Sequence, residues 1–260
     1  MGVTRLIVLG LSLLAADVGD ELPEELAPFV PQGHEALDFA VGDLDGDGRT
    51  DAVLILTAAG EVEKQDDMDD KRPLLLLIRQ ADGRLKQARR SDNVVYCRTC
   101  GGAMGDPYAG MDVGPGRFTV KHYGGSASRW ANSYTFAYDT ARKDWFLDGD
   151  TSVSFHASDP DATRDETTLT REELGDVPLE AFTAGYDKAN PWRVVAARAF
   201  FYDSPRVASK PRKAYLVKGD VFEGYRELRH FVHGQFRNRA GDSTWGYLRK
   251  ADLEAVRAAP

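Results

Sequence analysis

Alternation of apolar and polar positions dominates the chain and predicts strands almost throughout. Leu37, Phe39 and Val41 alternate with polar or small residues, and Ala52-Val-Leu-Ile-Leu56 follows an acidic loop, so the two flanks read as strands joined by a hairpin tip. Residues 74–78 form a buried-strand run, Asp82-Gly83 is a turn signal, and the segment from Arg84 is expected to return antiparallel. Between Gly116 and Ser154, short stretches carrying Phe118, Val120, Tyr134, Phe136, Tyr138, Trp145, Phe146 and Val153 are separated by Gly, Asn and Asp, the spacing of a meander. Thr170-Arg-Glu-Glu173 is a capping-box pattern that opens one short helix, and Gly175 closes it quickly. Residues 61–71 and 158–166 lack apolar periodicity and read as exposed loops. Asn190-Pro191 marks a break before a C-terminal part. The expected fold is all-β and mainly antiparallel: a β-meander or small propeller-like domain over residues 20–188, then a small β-module over residues 195–256.

Composition narrows what such a fold can do. With 260 residues and 42% hydrophobic content the chain can bury a substantial core. A formal net charge of −8 argues against a nucleic-acid partner, because phosphate backbones are bound by Lys and Arg, and favours a cation or a basic protein surface. Arg5 is followed by an apolar run over residues 6–16 that stops at Asp17, too short to span a bilayer. This is the pattern of a secretory signal peptide, assigned to residues 1–19, and it implies a periplasmic or otherwise exported protein with no transmembrane segment after signal removal. The competing reading is an amphipathic or buried N-terminal element. In an exported chain the two cysteines, Cys97 and Cys100, are expected to form a disulfide.

The densest chemistry lies in Asp43-Leu-Asp45-Gly-Asp47-Gly-Arg49-Thr-Asp51. Asp43, Asp45, Asp47 and Asp51 stand at loop positions one, three, five and nine, and the backbone carbonyl of Arg49 is available at position seven. Calcium takes six to eight oxygens in a flexible shell, which this spacing supplies from one contiguous turn. Gly48 falls at position six, where a sharp bend needs a residue without Cβ. Leu54 stands at position twelve, so the bidentate Glu of a helical EF-hand is missing. A merely solvated acidic tip is the alternative; four carboxylates within nine residues repel strongly without a counter-ion.

Catalysis has little support. The Cys-x-x-Cys pair is followed by Gly101-Gly102 rather than a helix that would lower a thiol pKa, and two further zinc ligands are missing nearby. His230 and His233, read within one strand, would face opposite ways. Gly124-Gly-Ser126 lacks the flanks of a serine-hydrolase elbow, and no carboxylate pair stands out as acid and base. The tract His122-Tyr-Gly-Gly-Ser-Ala-Ser-Arg-Trp130 is the most unusual non-acidic segment: a Gly-Ser turn between Tyr123 and Arg129-Trp130, read either as a projecting aromatic finger or as an ordinary hairpin with a core Trp.

Three resemblances attach to these motifs. The acidic loop with strand flanks resembles the FG-GAP repeat of integrin-type propellers, which implies calcium binding. Together with Cys97-Arg-Thr-Cys-Gly-Gly102, Gly105-Asp-Pro-Tyr108 and the 122–130 tract, it resembles exported immunity proteins that inhibit secreted peptidoglycan hydrolases, over roughly residues 35–150. That resemblance implies a non-enzymatic inhibitor of the lysozyme-inhibitor kind, whose loop enters the cleft of a cell-wall hydrolase through Tyr123, Ser126, Ser128, Arg129 and Trp130. Members of that group are typically lipoproteins, and no lipid-bearing Cys stands near Leu14 here. Ala214-Tyr-Leu-Val-Lys-Gly-Asp220, Thr244-Trp-Gly-Tyr-Leu248 and Ala251-Asp-Leu253 resemble bacterial SH3-like domains, although Gly246-Tyr247 replaces the usual Gly-Trp and Trp245 stands one place earlier. This third likeness implies an SH3-like barrel and leaves an alternative function: an envelope module that binds peptidoglycan or another glycan.

Overall fold

A computed structural model of the chain describes residues 21–60, 71–185 and 189–256. The predicted signal peptide and the acidic stretch at 61–70 lie outside the described residues. The first sheet is a four-stranded antiparallel meander, β1 (His34–Gly42), β2 (Asp51–Ala58), β3 (Arg72–Arg79) and β4 (Leu85–Val95), in sequence order. The second is a five-stranded meander, β5 (Tyr108–Gly114), β6 (Arg117–Gly125), β7 (Ser128–Asp139), β8 (Asp144–His156) and β9 (Asp165–Thr170).

β2 and β3 read as near-continuous apolar runs because both of their faces are covered. Val53, Ile55, Leu74 and Leu76 pack with Phe118, Val120, Phe136 and Leu147 of the second sheet in one shared core. On the opposite face Leu54, Leu56, Leu75 and Leu77 are covered by the N-terminal segment through Leu22, Leu26, Phe29 and Val30. The two meanders therefore form a sandwich, and the first sheet is its buried middle layer.

The C-terminal sheet has the order β15 (Ser243–Arg249), β14 (Phe231–Arg237), β13 (Val221–Glu227), β10 (Asn190–Val194), β16 (Leu253–Ala255), with a two-stranded partner sheet of β11 (Arg198–Phe200) and β12 (Tyr215–Val217). Its own core contains Val194, Phe201, Leu216, Phe222, Val232 and Leu248. The all-β class is as expected, but among the described residues these strands stay in open sheets and close no barrel.

Two local expectations need correction. Residues 158–166 do not form a loop throughout: a one-turn helix, α1 (Pro160–Thr163), is capped by the Asp159 carboxylate, and β9 begins at Asp165. β9 escapes a hydrophobicity reading because Leu169 is its only buried residue. The expected single helix is therefore the second of two α-helices among the described residues; α2 (Arg171–Leu174) carries the predicted capping box, with Glu173 accepting from the Thr170 amide at 2.9 Å. His230 lies just before β14 rather than within it. Among the described residues no helix is long and apolar enough to cross a membrane.

Candidate functional sites: an acidic loop and a braced hairpin

The acidic loop joins β1 to β2, with Gly42 paired to Asp51 at its base. Gly46 and Gly48 adopt positive φ, 78° and 84°, and let the chain curl around its own side chains. The Asp43 carboxylate accepts from the amides of Gly46 (2.8 Å), Asp47 (3.1 Å) and Gly48 (3.0 Å). One carboxylate oxygen each from Asp43, Asp45 and Asp51 lies within 4.8 Å of the others. Oxygen ligands of one ion at about 2.5 Å lie within roughly 5 Å of each other, so these three carboxylates could hold one cation. Burial raises the pKa of Asp45, and the charges of Asp47, Asp51 and Asp43 push it the same way; a hydrogen bond from the Asp47 amide opposes them.

The predicted ligands are not equivalent. Asp51 is fully buried, and its two oxygens accept from the amides of Leu44 and Arg79, both at 2.8 Å, which ties the loop to β3. Asp47 stands apart from the three-carboxylate group and pairs with the Arg49 guanidinium, which also donates to the Arg79 carbonyl. The loop is braced from the second sheet as well: the Trp145 indole N–H donates to the Leu44 carbonyl at 2.9 Å, and the Gly116 amide to the Asp43 carbonyl at 2.8 Å.

The tract at 122–130 is the end of the β6–β7 hairpin, closed by Ser126 and Ala127, rather than a long finger. Gly125 pairs with Arg129 and Gly124 with Trp130. Tyr123, Ser126 and Ser128 are exposed, Arg129 is half-buried, and Trp130 is half-buried with its ring edge-on to Tyr96 at 5.6 Å. Beneath the hairpin end lies the Cys97–Cys100 turn, whose sulfurs stand at disulfide distance, 2.09 Å. Two short 3₁₀ turns over Arg98–Met104, kinked at Gly102, stand where a redox dithiol needs a helix. Glycines make the contact possible: a Cβ on Gly124 would lie 3.0 Å from Cα of Gly101 and 2.4 Å from the Trp130 ring.

Sequence reading missed the polar network under this hairpin, because its partners lie far apart in the chain. Arg72, only 1% exposed, makes a bidentate pair with Asp106 at 2.8 and 2.7 Å. Tyr108 donates to Asp38 at 2.6 Å. Burial, reinforced by the Arg72 charge, lowers the His122 pKa to about 3; the neutral ring accepts from the Tyr96 amide at 3.2 Å. No protein-family model matches the chain, and no curated protein or solved structure matches it either.

Proposed function

We propose that this chain is an exported, calcium-binding, non-enzymatic protein that blocks a peptidoglycan hydrolase by seating the β6–β7 hairpin end in the enzyme's cleft. The observation that carries the reading is how the hairpin end is held: exposed Tyr123, Ser126 and Ser128 stand on a backbone clamped between the Cys97–Cys100 turn and the Trp130 ring. A pre-ordered loop loses little conformational freedom on binding, which favours affinity. Arg129, half-buried beside the turn, supplies a cation for the carboxylates that line a glycan-cleaving site.

Calcium has a structural part in this reading. The acidic loop meets Gly116, beside the start of β6, whereas the hairpin end lies at Gly125, the other end of the strand. Nine residue steps of strand put about 30 Å between them, so the ion stiffens the sandwich without touching the partner. The test is a wall-lysis assay with hydrolases recovered from envelope extract on the immobilised protein. Stoichiometric inhibition is expected, and Arg129→Ala or Tyr123→Ala should weaken it by at least about tenfold, as loss of an anchor near the middle of an interface does. Retention of no hydrolase, or full inhibition by both variants, would refute the hairpin mechanism.

A further inference from the structure

A cleft of about 760 Å³ lies between the second sheet and the C-terminal sheet, within the range of small-molecule sites. Its floor is built by strand register. Asn132 pairs with Ser152 and Ser152 with Thr167, so an amide and two hydroxyls stand in one row across β7, β8 and β9. Trp130, Ser154 and Asp165 form the next row by the same pairing. Neighbouring strands are about 4.8 Å apart, so each row offers hydrogen-bonding side chains at a step close to the width of one pyranose ring.

Aromatic rings flank this polar floor. Trp245 of β15 is 46% exposed, and one face of its indole is stacked on Tyr225 at 5.3 Å and 27°, which fixes the plane of the ring. Across the cleft Trp130 is held edge-on by Tyr96. An exposed Trp245 and a half-buried Trp130, each fixed by another ring, are stacking platforms, and a sugar presents both an apolar C–H face to stack and hydroxyls to bond.

Charge defines which sugar. The two arginines of the cleft are already paired: Arg226 with the buried Asp150, and Arg212 with Asp203 at 2.6 Å. His233 has a pKa lowered to about 4 by burial and by the charges of Arg226 and Arg212, so it is neutral at pH 7. With Asp165 also on the floor, the described residues that line the cleft leave no spare cation for a phosphate or carboxylate ligand. We infer that this cleft binds an uncharged oligosaccharide, laid across the Asn132–Ser152–Thr167 row with rings against Trp130 and Trp245. This goes beyond hydrolase inhibition and does not rest on it. A proline-rich peptide also docks on aromatics, but it needs apolar slots where this floor presents hydroxyls and an amide.

The test is calorimetric titration of the calcium-loaded full chain with N-acetylglucosamine tetramer, cellotetraose, an oligogalacturonate of equal length and a proline-rich peptide. Binding of at least one neutral tetramer, without the acidic one or the peptide, is expected. Trp245→Ala should weaken that binding at least tenfold. Ser154→Arg, which fills the cleft from an exposed position, should do the same with unchanged melting temperature. Trp245→Ala, on the C-terminal sheet and away from the hairpin end, should leave inhibition of a hydrolase unchanged, so the two readings fail or succeed separately. Absence of binding by both neutral tetramers at millimolar concentration, preference for the acidic oligomer or the peptide, or binding insensitive to both substitutions would overturn the assignment.

Discussion

At the scale of single residues, identical carboxylates have different work. Asp43 organises the acidic loop through three amides, Asp51 is a buried link to β3, and Asp47 is held by Arg49. A ligand bound only by the folded state raises its stability by mass action, so millimolar calcium should raise the melting temperature relative to chelator. Asp43→Ala should abolish that difference, and Asp47→Ala should only reduce it. Asp51→Asn should destabilise the protein by about 1–3 kcal/mol in chelator as well, because a buried hydrogen-bonded acceptor is weakened whether or not the ion is present. A calcium-independent melt of the unmutated protein would refute the site. His122 allows a second test. Unfolded, it takes up a proton below about pH 6.5; folded, it does so only near pH 3. The unfolded chain therefore binds more protons within that window. The contribution of His122 is complete above about pH 6.5 and is lost as pH falls towards 3, at up to about 1.4 kcal/mol per pH unit. His233 acts in the same direction, so the measurement is a comparison: His122→Gln should show a shallower loss of stability between pH 6 and 4 than the unmutated protein. Equal slopes would mean that His122 is not held neutral by burial.

Among the elements, the β1–β2 hairpin was legible because its signals are local. Alternation in β1, an apolar run in β2 and the carboxylate spacing between them all lie within 25 residues. The β6–β7 hairpin was legible as a turn but not as a clamp, since Gly101 and Trp130, which enclose Gly124, belong to different segments. Gly124 is not at positive φ, so its requirement is spatial rather than conformational. Gly124→Ala should therefore cost about 1–3 kcal/mol through overpacking against the Trp130 ring and the Gly101 backbone, measured by denaturant unfolding. Gly46→Ala would meet no atom within 4 Å and is strained only by its φ of 78°. A harmless Gly124→Ala would show that the hairpin end is looser than the contact distances require.

For the whole molecule, the C-terminal sheet is joined to the sandwich by polar links and a few apolar ones. Leu228 enters the shared core, the Arg229 amide donates to the Glu173 carbonyl at 2.9 Å, and Arg226 pairs with Asp150. Those links create the cleft, which no local signal marks: Trp130 stands beside a Gly-Ser turn and Trp245 in a displaced Gly-Trp motif, and nothing along the chain puts them opposite each other. What the sequence by itself determined are properties set by neighbours along the chain: the antiparallel all-β class, the acidic loop on a hairpin, the capping box of α2 and the cysteine pair three residues apart. Periodicity and turn chemistry act within a few residues, so they can be read without the fold. Only the tertiary structure decided that β2 and β3 are buried on both faces, that Asp51 is a link while Asp47 faces Arg49, and that Asn132, Ser152 and Thr167 stand in one row. Each of these depends on register and packing between residues far apart in the chain, where burial and hydrogen-bond partners are set by the whole assembly of sheets rather than by any local preference.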